Sequence, residues 1–289
     1  MKNISIINAC SDLGLSTDGT NLGPEILTKD INSSNVSSVH TIKKGNFEKD
    51  RAKDNKRKNL EGVNEFNSRL YNLELEILEN NEFPLTIGGD HSVAISSALA
   101  SINHYKNLGI IWLDAHGDFN TFNSTESGNI HGLPLAVVTN YEKESLSNFH
   151  NGNFYNFKNT VIVGGRDIDR LEKENLKDAG VTVFSSEDIK KYGAKEILEK
   201  AFSIAKNGTD GVHISFDVDL IDPNIAPGVS VPADNGINLE EAYSLIDTVI
   251  EHKDIIKSMD IVEYNPLKDE NDVTKNITKT IINKVIENF

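Results

Sequence analysis

The stretch Leu108–Asn120, LGIIWLDAHGDFN, decides the reading of this chain. Its first six residues, Leu108 to Leu113, include five large apolar side chains. A short continuous apolar run of this kind predicts a strand buried on both faces, as in a parallel sheet. The run then breaks into Asp114-Ala115-His116-Gly117-Asp118. Alternate residues of an extended chain share a face, so Asp114, His116 and Asp118 can converge from one strand end. Two carboxylates and an imidazole at i, i+2 and i+4 suit a divalent cation.

Two further stretches repeat the design. In Gly211–Pro223, GVHISFDVDLIDP, a strand with Val212, Ile214 and Phe216 on one face delivers Asp217 and Asp219. Earlier, the apolar Phe83–Ile87 runs into Gly88-Gly89-Asp90-His91-Ser92, where two glycines allow a sharp turn close to a ligand. Sites in open α/β sheets form just outside the carboxyl ends of the strands. Three such ends therefore offer His91; Asp114, His116 and Asp118; and Asp217 and Asp219. Four carboxylates and two imidazoles without a thiolate favour a hard or borderline ion such as Mn²⁺ over structural zinc. Four negative charges balance two divalent ions. Paired ions stand ~3.5–4 Å apart and make hydroxide available near neutral pH. Residues i and i+2 span ~6.6 Å of strand, so one strand can touch both. Metal-assisted hydrolysis is the expected chemistry.

Strands alternate with longer helical patterns along all 289 residues, which predicts a three-layer α/β/α fold with a mostly parallel sheet. Without repeats or a low-complexity linker, residues 1–289 are expected to form one domain. The excess of 44 acidic over 29 basic residues, net −15, argues against nucleic acid, whose phosphates need clustered cations. It is compatible with a small cationic substrate. A single cysteine, Cys10, fits a reducing compartment. No apolar run approaches the ~18–20 residues of a membrane span; the expected location is the cytoplasm. Helical spacing is expected over Asn64–Asn80, Ser92–Ile102, Gly193–Lys206, Glu240–Glu251 and Asn276–Phe289. Strands are expected at Ile4–Asn8, Val39–Ile42, Thr160–Gly165, Val181–Phe184 and Ile256–Val262. The mixed-charge run Lys49–Lys58 is expected to be a solvated loop.

GGDHS at Gly88–Ser92, DAHGDFN at Asp114–Asn120, SFDVDLIDP at Ser215–Pro223 and DIVEYNP at Asp260–Pro266 resemble the motifs of the ureohydrolase family. That family includes arginases, agmatinases, guanidinobutyrases and formimidoylglutamases. The resemblance, in the same order from Gly14 through Pro266, implies a binuclear manganese centre with two Mn²⁺ per subunit. Asp114 and Asp217 would bridge the ions, and a hydroxide between them would attack a guanidinium carbon to release urea. The polar segment Asn120–Gly132, NTFNSTESGNIHG, is similar to the arginase pattern N-T-x-x-x-T-x-S-G-N-x-H-G. By that likeness Asn120, Thr125 and Ser127 hold the α-carboxylate of arginine, which agmatine lacks. His131 would be the acid/base group, a role its pKa near ~6.5 suits. Asp169, with Glu172 three residues on, would face the α-amino group, although Asp169 could equally cap a helix. Glu263 would pair with the guanidinium. The catalytic residues so implied are His131, Asp118 and Glu263. One departure stands out: Ser230-Val231-Pro232 replaces the usual G-T-P of arginases and is closer to formimidoylglutamases. Arginase is the expected activity, with agmatinase or formimidoylglutamase as the alternative. The family is usually trimeric or hexameric, so a homo-oligomer is expected.

Overall fold

The computed structural model describes residues 2–52 and 55–289. In chain order the strands are β1 (Ile4–Cys10), β2 (Val36–Lys43), β3 (Phe83–Gly88), β4 (Gly109–Leu113), β5 (Thr160–Gly164), β6 (Thr182–Ser185), β7 (Val212–Asp217) and β8 (Ile256–Val262). The helices are α1 (Gly23–Thr28), α2 (Leu60–Glu79), α3 (Ala94–Tyr105), α4 (Pro134–Val138), α5 (Arg170–Ala179), α6 (Ser186–Tyr192), α7 (Ala194–Ala205), α8 (Leu239–Glu251) and α9 (Val273–Asn288). All strand pairings are parallel, in the order β2-β1-β3-β8-β7-β4-β5-β6.

Why the strands read as apolar runs is visible in β4. Ile111 and Leu113 enter one core with α7 and α8, while Ile110 and Trp112 enter the other with α3 and α4. Each face of the sheet thus buries alternate side chains, at ~1.5–3 kcal/mol for each large aliphatic. Edge strand β2 differs, alternating half-buried and exposed residues along its length. This arrangement is the expected three-layer fold. Among the described residues, no helix is long and apolar enough to cross a membrane.

Several boundaries moved. Helix α2 begins at Leu60, four residues before Asn64, because Asn59 takes a left-handed conformation and Gly62 and Val63 are buried. Helix α6 is additional to the sequence reading, and α5 is the helix that Asp169 was expected to be able to cap. Each opens with a capping box, Asp169 with Glu172 and Ser185 with Asp188, so the signal was present in D-x-x-E and S-x-x-D. The run Lys49–Lys58 needs correction. It is a loop where described, but Lys58 is buried and the Lys49 side chain is 5% exposed, 3.0 Å from the buried Asp12. Charge alone cannot distinguish a solvated run from one whose ammonium groups have found carbonyl and carboxylate partners.

Candidate active site

Strands β3, β8, β7 and β4 are consecutive in the sheet, and their ends are level, with Ile87 opposite Ile261, Ile261 opposite Phe216, and Phe216 opposite Leu113. Residues far apart in sequence therefore meet at one rim. At the ends of β4, β7 and β3 an aspartate folds back on its own backbone. Asp114 accepts from the His116 N–H (2.7 Å), Asp217 from the Asp219 N–H (2.7 Å) and Asp90 from the Ser92 N–H (2.9 Å). These local turns are what the D-x-H and D-x-D spacings encode. They turn the chain sharply before the next side chain of each motif.

The donor atoms form two clusters sharing Asp114: His91, Asp114 and Asp118; and Asp114, His116 and Asp219. His91 Nδ1 lies 2.9 Å from Asp118 Oδ2, and 3.1 Å from both Asp114 Oδ2 and Asp217 Oδ2. His116 Nδ1 lies 3.1 Å from Asp219 Oδ2 and 3.4 Å from Asp114 Oδ1. Asp114 thus points one oxygen at each cluster. Donors at right angles around an ion at ~2.1 Å stand about 3.0 Å apart, close to these spacings. His91 Nδ1 and Asp118 Oδ2 are buried without a hydrogen-bond partner, as atoms reserved for a cation would be. By donor chemistry and spacing the residues fit a hard divalent ion.

Electrostatics agree. Burial and neighbouring carboxylates push Asp118 up to about 6 and raise Asp217 and Asp219. Burial also acts on Asp114, but the neighbouring His116 and His91 imidazoles outweigh it and hold that carboxyl down. Crowded negative charge is costly in a buried site, and cationic charge relieves it. Asp118 stands at φ +47° and Glu263 at φ +71°, left-handed conformations strained for a carboxylate residue. The Asp118 carbonyl accepts from Leu135 and Ala136 at the start of α4 (2.9 and 3.2 Å). Glu263 Oε1 accepts from the His91 N–H (2.8 Å), leaving Oε2 buried and unpartnered.

A polar layer lies beneath the ligands. His91 Nε2 is 2.8 Å from Ser215 Oγ, whose hydroxyl donates to Asp260 (2.5 Å). Ser215 therefore receives the Nε2 proton, and Nδ1 is left with its lone pair facing the carboxylates. Asp260 also meets His213 Nε2 (3.0 Å) and accepts from Ser97. Burial would raise Asp260, but His213 more than offsets it and the carboxyl is held down. Sequence reading did not single out these residues or Asp90. The signal was the period of two: with Val212, Ile214 and Phe216 on one face, His213, Ser215 and Asp217 must share the other.

A cavity of about 160 Å³ opens beside the clusters, lined by His116 and Asp118 on one side and by Asn120, Thr125, Ser127, His131, Asp169, Glu172 and Val231 around it. Every substrate-facing residue anticipated from sequence except Glu263 is on this lining. Glu263 sits behind His131, whose Nδ1 is 3.1 Å from Glu263 Oε1. A carboxylate there accepts, so Nδ1 carries the proton and Nε2 is the free ring nitrogen. Burial alone would lower the His131 pKa, yet Glu263, with help from Asp118 and Asp90, raises it. Asn120 bridges Asp169 (3.1 Å) and Ser124 (2.8 Å), retaining one amide hydrogen. Thr125 Oγ1 and Ser127 Oγ accept from the Gly128 and Asn129 N–H groups (3.1 and 3.2 Å), which leaves both hydroxyl hydrogens to donate. Glu172 already accepts from the Phe119 and Asp169 N–H groups (2.7 and 3.1 Å). Burial raises it to about 8. It braces the ligand loop as well as lining the cavity.

Comparison with known proteins agrees with this geometry. Residues 2–288 match the Arginase family. An arginase of Brevibacillus brevis is 35% identical over 299 residues, covering 98% of this chain and 97% of the relative. The solved arginase of Bacillus caldovelox superposes with a TM-score of 0.92 at 32% identity, over 99% of this chain and 98% of that one. The arginase of Entamoeba histolytica, solved with L-ornithine, gives a TM-score of 0.90 at 29% identity over the same shares. With sequence likeness running the length of the chain and strand ends that gather one His/Asp constellation, the protein belongs to the arginase family, hydrolases of guanidino C–N bonds.

Proposed function

We propose that the protein is an arginase that binds two Mn²⁺ per subunit and hydrolyses L-arginine to L-ornithine and urea, residues 1–289 acting as one ureohydrolase domain. The observation that carries this reading is the pair of donor clusters sharing Asp114 beside a small cavity rimmed by Asn120, Thr125 and Ser127. His91, Asp118, Asp114 and Asp217 would hold one ion, and His116, Asp219, Asp114 and Asp217 would hold the other. Bound there, the ions supply Lewis acidity and lower the pKa of water so that hydroxide exists near neutral pH.

The remaining work falls to this chain's side chains. Asn120, Thr125 and Ser127 donate hydrogen bonds to the α-carboxylate, and Asp169 and Glu172 face the α-amino group. Glu263, through its unpartnered Oε2, accepts guanidinium N–H groups by charge-assisted hydrogen bonds. Breaking the bond between the guanidinium carbon and the chain nitrogen leaves the water oxygen on urea, and the departing amine takes up a proton. His131 holds that proton at Nε2, with Glu263 fixing its ring through Nδ1. Ornithine in the Entamoeba relative supports the product assignment. We place the enzyme in the cytoplasm as a homo-oligomer, trimer or hexamer.

A second reading, formimidoylglutamase or agmatinase, is favoured by Val231, which puts an apolar side chain on the cavity wall. The test is product release from arginine, agmatine, 4-guanidinobutyrate and formimidoylglutamate, with Mn²⁺ and after chelation. Metal-dependent turnover of arginine alone is expected. Turnover of any other one alone would transfer the assignment to it.

A further inference from the structure

Four successive carbonyl oxygens on the cavity wall, from Thr125 to Gly128, are drawn to one neighbouring segment. Lys56 Nζ donates to the carbonyls of Thr125 and Glu126, at 2.7 Å each. Lys58 Nζ donates to the Ser127 carbonyl at 2.6 Å, and the Lys58 N–H donates to the Gly128 carbonyl at 3.3 Å. Lys58 is 6% exposed. The same ammonium lies 3.3 Å from Ser16 Oγ, which itself donates to Asn129 at 2.6 Å. At Gly128, φ +72°, an added Cβ would stand 2.0 Å from the Asn55 carbonyl oxygen, so the two backbones abut.

The consequence is directional. With its carbonyls held on one side by two ammonium groups, the turn keeps the Thr125 and Ser127 side chains on the cavity. Inside the turn the Gly128 and Asn129 N–H groups donate to Thr125 Oγ1 and Ser127 Oγ (3.1 and 3.2 Å), and loops of small polar residues lose substantial entropy on ordering. Positive charge behind the turn also favours an anion in front of it. We propose that Lys58, assisted by Lys56, is a positioning residue for substrate specificity: it presents the Thr125–Ser127 hydroxyls to the carboxylate of an amino-acid substrate. The role rests on the arginine reading given above, and it is distinct from metal binding, to which neither lysine contributes a donor.

The test uses the full-length enzyme loaded with Mn²⁺, comparing the unsubstituted protein with Lys58→Met, Lys58→Arg and the more exposed Lys56→Met. Steady-state kinetics on arginine are read with inhibition by ornithine and by putrescine, the same diamine without the carboxylate. Calorimetry gives the Mn²⁺ affinity. Lys58→Met raises KM for arginine and Ki for ornithine about ten-fold, and Lys56→Met about three-fold. In both, kcat, putrescine inhibition and Mn²⁺ affinity stay within about two-fold of the unsubstituted enzyme, and Lys58→Arg recovers most of the loss. Arginine KM and ornithine Ki unchanged in both methionine variants overturn the proposal. So does a parallel fall in kcat and Mn²⁺ affinity, which marks a general structural role. Unsubstituted enzyme that is inert toward arginine overturns the substrate reading itself.

Discussion

The two sides of the active site are built differently. The floor, with His91, Asp114, His116, Asp118, Asp217 and Asp219, stands at the ends of adjacent central strands and rests on a buried polar layer. The wall, Asn120 to His131, is loop and short turn, tied within itself by Ser124 to Asn120 and from outside by Asp169 and the lysines of a distant segment. Strand ends place atoms through the hydrogen-bond ladder of the whole sheet, so the floor can keep strained backbone at Asp118 and Glu263. The wall depends on a handful of side-chain contacts.

The largest effect should come from breaking the floor. Asp118→Ala or Asp219→Ala is expected to lower bound Mn²⁺, measured by elemental analysis, and to cut turnover more than about a thousand-fold. Full activity with unchanged metal content would defeat the ligand assignment.

The layer under the floor supplies a test of stability against pH. Glu74 is fully buried, accepts from Thr86 (2.6 Å), and is pushed by burial up to about 8 from an ordinary value of 4.5. An acid with a raised folded pKa holds its proton longer when folded than when unfolded. Its contribution is therefore most favourable below 4.5 and is lost as pH rises toward 8. Denaturant unfolding of the unsubstituted protein should lose ground to Glu74→Gln across that window, by on the order of a few kcal/mol in total, then level off. A pH-independent difference would show that Glu74 does not titrate there.

Removing the hydroxyl under His91 tests how much the floor owes to its support. Ser215→Ala is expected to weaken Mn²⁺ binding roughly 10–100-fold by calorimetry while the fold is kept. Equal affinity would leave the ring fixed by Trp112 alone, which stacks on it at 4.3 Å between centroids.

The smallest effect belongs to the wall. Asn120→Ala should raise KM for arginine about ten-fold and leave agmatine, where turned over at all, unaffected. Equal losses on both would mean that the loop does not sense the carboxylate.

Legibility in the sequence follows the same division. The apolar run before Asp114, the Gly-Gly before Asp90 and the D-x-D after Phe216 announce strands and ligands because a buried parallel strand needs continuous apolar residues. The turn that aims a ligand is encoded within three residues. Helix starts were less legible: α2 begins early because Gly62 and Val63 are buried by packing that periodicity over Asn64–Asn80 does not register. Asp169 proved to be both a helix cap and a cavity residue, two readings that sequence had kept as alternatives. The charged run Lys49–Lys58 misled because its partners lie about 70 residues away at Thr125 and Ser127.

By itself, then, the sequence determined the alternation of strands and helices and the six His and Asp side chains that stand at the strand ends, since each depends on spacing over a few residues. Tertiary structure decided the strand order that brings β3, β8, β7 and β4 together. It also decided the tautomer of His91 through Ser215 and Asp260, and the contacts that hold the Thr125–Gly128 turn, through Lys56 and Lys58. Those are contacts between residues far apart in the chain, and only the packing of the whole sheet and its loops fixes which of many polar side chains meet.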